Sequence, residues 1–186
     1  MSRFHITQTN MSGLLVIERQ AVADARGSFS RLFCSEELQE FGWQNPIAQI
    51  NHTITRRRGT VRGLHFQRAP HAEIKQVTCI RGEIWDIAVD VRKNSPTFLH
   101  WHAEILTPEN RRSLLIPQGF AHGFQALTKN VELIYFHSVS YRPDYESGLS
   151  ARDATLAIGW PLPIVELSPR DQAYPAIDAD FEGLEL

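Results

Sequence analysis

The sequence predicts an all-β fold, a jelly-roll β-sandwich or barrel with a few short helices. Short segments in which apolar and polar side chains alternate recur along the chain, and Gly, Pro and Asn separate them. About nine strands at such close spacing, joined by turns, are typical of jelly rolls. The two-residue period and the spacing of the turn signals therefore carry the prediction.

The clearest strand is predicted at residues 83–91. Its two faces are Trp85, Ile87, Val89 and Val91 on one side and Ile84, Asp86, Ala88 and Asp90 on the other. Arg81 and Gly82 form a tight-turn signal between this strand and one at residues 74–80, so the two are expected to pair as a hairpin. Further strands are predicted at residues 14–17, 28–33, 48–54, 61–67, 98–106, 113–116, 123–127 and 131–139.

Helical structure is expected at only two places. Residues 36–41 should form a short helix that Ser35 caps and Gly42 ends. From Ser140 onward the chain is rich in Pro, which favours turns and extended segments, with a helical turn near residues 168–171.

Composition limits the class of protein. The chain has 186 residues, 42% of them hydrophobic and 22% charged, which is typical of a single globular domain and here predicts one over residues 1–186. A net charge of -2 argues against a nucleic-acid partner, and no apolar run is long enough to cross a membrane. Cys34 and Cys79 lack zinc-like spacing and are expected to be reduced thiols in the cytoplasm.

Several residues could carry chemistry, and each also has a purely structural interpretation. His65 could be a base or a hydrogen-bonded core residue, and Lys75 could be a cation aimed into a cavity or a solvent-facing side chain. Tyr135 could be a buried acid or a core aromatic. The basic run at residues 56–58, together with Arg62, could clamp a diphosphate or be a solvated turn.

A metal site is disfavoured by the residue types. Residues 117–122 follow the PxGxxH pattern of the second metal motif of cupin jelly rolls and deliver His122 to the next strand. The partner motif would need an HxH, but here His65 is followed by Gln67 at the second position. His100 and His102 do form an HxH, which we interpret as a pair of surface residues.

Taken together, the segments resemble the dTDP-4-dehydrorhamnose 3,5-epimerases, cofactor-independent enzymes of the cupin fold. RGLHFQ at residues 62–67 and IPQGFAHGF at residues 116–124 are the most specific matches. The other matching stretches, in order, are residues 24–29, 49–51, Lys75, 81–86, 89–92, 95–97, 109–110, 132–135, 160–161 and 167–171. The resemblance covers most of the chain.

The resemblance implies inversion at C3 and C5 of a nucleotide-linked 4-keto-6-deoxyhexose, with dTDP-4-dehydro-6-deoxyglucose the expected substrate. It makes His65 the base, Asp171 its partner, Lys75 the cation at the C4 oxygen, and Tyr135 the proton donor on the opposite face of the sugar. Neither a cofactor nor a metal is implied, because no electrons leave the substrate.

The resemblance also implies how the substrate is bound. Arg26 and Arg62 are expected near the diphosphate, with Phe29, Gln49 and Asn51 near the sugar or base. Two further substrate-binding residues are His122 and Tyr141. A homodimer is expected in which the N-terminal strand crosses to the partner, so that Arg26 and Phe29 could serve the neighbouring site.

Three positions depart from the family pattern. The family usually has Glu at the position of Arg31, Lys at the position of Phe136, and a WNDP-like segment where only Asp153 is kept. Arg31 would suit cytosine, which has an acceptor at N3, so a CDP-linked substrate stays open. The residues are also compatible with an epimerase or isomerase acting at one carbon only, a non-catalytic sugar-nucleotide-binding cupin and, last, a metal-dependent cupin oxygenase.

Overall fold

The computed structural model describes residues 2–186 and consists mainly of two antiparallel β-sheets. The strands are β1 (Phe4–Gln8), β2 (Leu15–Arg19), β3 (Ala21–Asp24), β4 (Gly27–Ser30), β5 (Gln49–Thr55), β6 (Val61–Gln67), β7 (Lys75–Arg81), β8 (Ile84–Asp90), β9 (Trp101–Leu106), β10 (Arg112–Ile116), β11 (Phe120–Ala126), β12 (Val131–His137) and β13 (Glu146–Gly148). The larger sheet has the order β1-β2-β10-β7-β12-β5 and the smaller one β13-β6-β11-β8-β9. The all-β fold class is confirmed.

The main core lies between the two sheets. Val77 and Leu133 of the larger sheet and Ala88 and Phe124 of the smaller one belong to the same buried cluster. The predicted faces of β8 are correct, but both are buried, because Ile87 and Val89 on the outer face pack against residues of the C-terminal tail. Apolar burial on both sides of one strand supplies much of the hydrophobic stabilisation.

Inward-facing positions change from apolar to polar towards one end of the sandwich. Along β12, Val131 and Leu133 belong to the core, and Tyr135 and His137 follow on the same face at the two-residue period. Along β7, Val77 and Cys79 are core residues and Lys75 is the polar end of that face. The alternation of the strands therefore places polar side chains together at one end of the interior.

Some predicted elements differ from the structure. The helix at residues 36–41 is a one-turn helix, α1 (Ser35–Leu38), followed by a 3-10 turn, and Cys34 rather than Ser35 is the N-cap. Gly42 ends it in the left-handed conformation, as predicted. The strand expected at residues 28–33 is instead a separate hairpin of β3 and β4. Strands β1, β3 and β13 were not predicted. The predicted hairpin of β7 and β8 is wrong, because the turn at Arg81 and Gly82 carries the chain from the larger sheet to the smaller one, where β8 pairs with β9 and β11.

The C-terminal tail has little regular structure, and α2 (Pro169–Ala173) lies where the helical turn was expected. The Ser168 hydroxyl caps α2 by accepting a hydrogen bond from the Asp171 N–H. Within residues 2–186, every helix is too short or too polar to cross a membrane.

Candidate active site

A cavity of about 660 Å³ occupies the polar end of the interior, between the two sheets. The predicted site residues that line it are His65, Tyr135, Asp171, Lys75, Gln49, Asn51, Arg62, His122 and Tyr141. They come from β5, β6, β7, β11 and β12, from the segment after β12, and from α2. Residues far apart in sequence thus meet in one concave site, which is the usual form of a small-molecule site.

His65 and Asp171 form a hydrogen-bonded pair on one wall. His65 lies on β6, and its Nε2 is 2.7 Å from Oδ1 of Asp171 on α2. The Asp171 side chain is 3% exposed, and its other oxygen accepts a hydrogen bond from the Gly63 N–H at 3.3 Å. Burial alone would raise the pKa of Asp171, but the bond to His65 outweighs it and lowers the pKa. The carboxylate therefore stays ionised and can accept a hydrogen bond from the His65 ring N–H.

Close backbone packing sets the position of His65. On β11, His122 lies directly opposite His65 in the register, and Gly123 follows it. A Cβ atom on Gly123 would lie 2.8 Å from the Arg62 carbonyl oxygen and 3.2 Å from the Gly63 Cα. The two strands can approach this closely only because both positions lack a side chain.

Tyr135 lies on β12, in the facing sheet. It packs against the core cluster, and its ring centroid is 6.0 Å from that of His122. Burial, followed by the negative charge of Asp86, raises the pKa of Tyr135 well above its usual range. The phenol is therefore held in its protonated form, as a proton donor must be before it acts.

Lys75 is buried and does not face solvent. Its Nζ is 2.8 Å from Oε1 of Glu73, whose Oε2 is 2.7 Å from Nδ1 of His137. Burial alone would raise the pKa of Glu73, but the charge of Lys75 and the bond to His137 lower it to about 2. Glu73 is consequently ionised and bridges a lysine and a histidine.

A third histidine–carboxylate pair includes His122 of the cavity lining. Nε2 of His122 is 2.8 Å from Oδ1 of Asp86, and both side chains are buried. Burial raises the pKa of Asp86, and His122 only partly counteracts this effect. Within residues 2–186, the Asp86 Oδ2 atom has no hydrogen-bond partner, which agrees with a carboxyl that ionises reluctantly.

The mouth of the cavity carries a network of charged groups. The Tyr141 hydroxyl donates to Oε2 of Glu146 at 2.7 Å, and Nη1 of Arg170 is 2.6 Å from the same oxygen. Nη2 of Arg170 lies 3.3 Å from Nε2 of His65. Arg62 is held by the Thr55 hydroxyl and the Ile54 carbonyl oxygen. Guanidinium groups at the mouth suit recognition of a diphosphate.

Arg26 and Phe29 are not part of this cavity. Both belong to the β3–β4 hairpin, where Phe29 is 71% exposed and the Arg26 guanidinium pairs with Asp24 at 2.6 Å. The hairpin lines a separate surface depression. Arg31, which ends this segment, pairs with Glu37 of α1.

The family model for dTDP-4-dehydrorhamnose 3,5-epimerase matches residues 8–179 of the chain. The chain belongs to this family. The dTDP-4-dehydrorhamnose 3,5-epimerase of Methanothermobacter thermautotrophicus is 42% identical over 177 residues, covering 94% of this chain and 95% of the relative. Family membership confirms the resemblance, the cupin-type fold and the assignment to the isomerases.

Two solved structures of similar proteins differ in the number of carbons that the enzyme inverts. RmlC of Legionella pneumophila, in complex with dTDP-4-keto-L-rhamnose, has a TM-score of 0.91 and 36% identity, covering 98% of this chain and 99% of that chain. ChmJ, a 3'-monoepimerase of Streptomyces bikiniensis in complex with dTDP-quinovose, has a TM-score of 0.83 and 32% identity, covering 90% of this chain and 85% of that chain. The epimerase fold therefore accommodates both inversion at two carbons and inversion at one.

Sequence reasoning missed Glu73, His137, Glu146 and Arg170, all of which line the cavity. His137 could have been found, because it lies two residues after Tyr135 on a predicted strand and so shares its face. Glu73 precedes Lys75 by the same spacing, but it lies just before β7 begins. Glu146 and Arg170 lie in the irregular tail, where no periodic pattern points to the cavity.

Proposed function

We propose that this epimerase inverts C3 and C5 of dTDP-4-dehydro-6-deoxyglucose and releases dTDP-4-dehydrorhamnose. The observation that carries the proposal is the placement of the His65–Asp171 pair and Tyr135 on facing sheets of one cavity. Inversion needs a base on one face of the sugar ring and a proton donor on the other, and this arrangement supports both roles.

His65 is the base in this proposal. The bond to Asp171 uses Nε2, which leaves Nδ1 to take the C3 or C5 proton. The Asp171 carboxylate then stabilises the imidazolium that forms, as the carboxylate of a histidine–aspartate pair does in other enzymes. Removal of the proton places negative charge on the C4 oxygen, and Lys75 is the buried cation assigned to that oxygen.

Tyr135 returns a proton on the opposite face. Its raised pKa keeps the phenol protonated until the enolate forms nearby. The proton then passes to the carbon and the C4 ketone is restored. His65 loses its proton to solvent and Tyr135 takes one up from solvent, so both residues return to their starting forms. No electrons leave the substrate, so the atoms balance without a redox partner.

We further propose a homodimer in which Arg26 and Phe29 complete the partner's site, because neither reaches the cavity of its own chain. Exposed apolar side chains on the hairpin and on β5, namely Val22, Phe29, Ile50 and Ile54, would then be covered. The test mixes R26A with H65N. Cross-subunit sites predict that heterodimers regain one intact site, restoring about a quarter of wild-type activity in a random mixture. No recovery would contradict the exchange.

The nucleotide is proposed to be thymidine-linked. Cytosine recognition by Arg31 loses its support, because the guanidinium is engaged by Glu37, which also accepts hydrogen bonds from Ser2 and from the Arg3 N–H. Comparing binding of dTDP with that of CDP tests the assignment, and tighter CDP binding would overturn it.

The two free thiols, Cys34 and Cys79, support a cytoplasmic location.

Proton NMR of dTDP-4-dehydro-6-deoxyglucose incubated with the protein in D₂O tests the reaction itself. Loss of both the C3 and the C5 proton signals is expected, and H65N should retain both. Exchange at C3 alone would favour the second candidate, a C3-epimerase, which the similarity to ChmJ supports. Absence of exchange with folded protein would overturn the proposal.

A further inference from the structure

A chain of hydrogen bonds runs along the wall of the cavity from its mouth to Lys75. The Tyr141 N–H donates to Oε1 of Gln49 at 3.0 Å, and Nε2 of Gln49 donates to Oδ1 of Asn51 at 2.9 Å. Nδ2 of Asn51 lies 3.3 Å from Nε2 of His137, whose Nδ1 contacts Glu73 at 2.7 Å. Glu73 in turn contacts Lys75, so five side chains and one backbone group are linked in series.

The two ends of this chain have fixed polarity. A backbone N–H can only donate, so it orients the Gln49 amide, and Gln49 in turn orients the Asn51 amide. At the other end, Glu73 is an ionised carboxylate that can only accept. Both ends therefore require the same form of His137, with a proton on Nδ1 and a lone pair on Nε2. In the opposite tautomer the Nε2–H of His137 would face the Nδ2–H of Asn51, and no hydrogen bond could form between them.

We propose that His137 and Glu73 act as a positioning pair, which fixes the Lys75 ammonium on one side and the amides of Asn51 and Gln49 on the other. The inference rests on the proposed function, because Lys75 is assigned there to the C4 oxygen, and the resemblance places Gln49 and Asn51 near the sugar or base. The pair is not a second acid or base, since both nitrogens of His137 are already engaged.

Burial makes the pair costly to disturb. The Glu73 side chain is 9% exposed, and its two oxygens hold Lys75 and His137 separately. Loss of His137 would leave the Asn51 amide free to rotate and one Glu73 oxygen without its donor, and an unmet buried hydrogen bond is costly. The amides are expected to contact the sugar or base, which stay bound before and after proton transfer, so the effect should appear mainly in KM.

Kinetics of three variants test the positioning role. H137F removes both hydrogen bonds and should raise KM about 10-fold while changing kcat far less. H137Q supplies one donor and one acceptor on a single side chain and should restore KM to near the wild-type value. H102F is the matched control, because His102 also pairs with a glutamate, Glu104, at 3.1 Å, but lies on β9, outside the cavity lining, and should leave KM unchanged.

Histidine tautomers provide a measurement that needs no substrate. In ¹⁵N-histidine-labelled protein the His137 resonances are those lost in H137Q, and they should report a proton on Nδ1. E73Q should move the proton to Nε2 if the Gln amide donates to Nδ1. A proton on Nε2 in the wild type, or equal KM values for H137Q and H137F, would overturn the positioning role. A wild type that shows the expected tautomer but no turnover would overturn the proposed function instead, and with it the role of the pair.

Discussion

Replacement of Asp171 by Asn is the most direct test of the proposed base. The substitution keeps the size of the side chain but removes the negative charge that lies 2.7 Å from Nε2 of His65. It also offers Nε2 an amide N–H, which would place the remaining imidazole proton on Nδ1, the atom assigned to proton abstraction. D171N is therefore expected to fold and to bind substrate, but to lose most of its turnover.

The size of the loss follows from the geometry. With charge centres about 4 Å apart and an effective dielectric constant of about 20, the carboxylate stabilises the imidazolium by about 4 kcal/mol. That energy corresponds to about a thousandfold in rate. Nε of Arg170 lies 3.7 Å from the same carboxylate and already offsets part of its charge, so about a hundredfold is the lower bound we expect.

The assay is the initial rate of C3 and C5 proton exchange in D₂O, measured by NMR at saturating substrate. D153N is the matched control, because Asp153 is also buried but accepts backbone hydrogen bonds from Thr155 and Ile177, outside the cavity. D153N should lower the melting temperature and leave the rate of the folded protein unchanged. A D171N rate within tenfold of wild type would refute the role given to Asp171.

Three further predictions concern the donor, acid stability and strand packing. Y135F should reduce inversion at least a hundredfold while deuterium still enters the substrate, whereas Y145F, outside the cavity, should behave as wild type in the same NMR assay. The pKa of Glu73 is about 2 in the folded protein against an ordinary 4.5, so its ionised form stabilises the fold by ~3 kcal/mol above pH 4.5. This stabilisation is lost as the pH falls towards 2, and the free energies of unfolding of E73Q and wild type, measured by urea titration, should converge there. G123A should lower both the melting temperature and the rate of C3 and C5 proton exchange, because its Cβ would lie 2.8 Å from the Arg62 carbonyl oxygen. An unchanged melting curve would contradict the packing argument.

Most strands could be predicted from the sequence, because the two-residue period of apolar and polar side chains is a local property. β5, β6, β7, β8 and β12 begin and end within two residues of their predicted limits. β1 and β13 escaped prediction because each is short and largely polar, and the partner of β13, β6, lies about 80 residues earlier in the chain. Short strands of this kind are defined by their neighbours rather than by their own side chains.

Site residues could be predicted where they lie on a strand with a clear two-residue period. They could not be predicted where their role depends on which other segments pack against them. Lys75 looked as plausible on the surface as in a cavity, since its strand pattern gives a face but not what covers that face. The structure shows what covers that face. Glu73, in the segment before β7, contacts Lys75, and His137, on β12, contacts Glu73. Similarly, the proximity of Asp171 to His65 came from the family resemblance, not from any spacing in the sequence.

Charge balance in the cavity supports the proposed dimer, because carboxylates already pair with most of the cations in one chain. Lys75 is neutralised by Glu73, and Arg170 by Glu146 and Asp171. Among residues 2–186, no carboxylate lies within ion-pair distance of Arg62, which leaves one uncompensated guanidinium for a ligand that carries two negative phosphates. In the proposed dimer Arg26 supplies the second cation from the partner; its pairing with Asp24 is a solvent-exposed surface ion pair, which is weak enough to be exchanged for a phosphate. In the proposed dimer, the groups for proton transfer therefore lie within one cavity of each chain, while the positive charge that binds the nucleotide is divided between two copies.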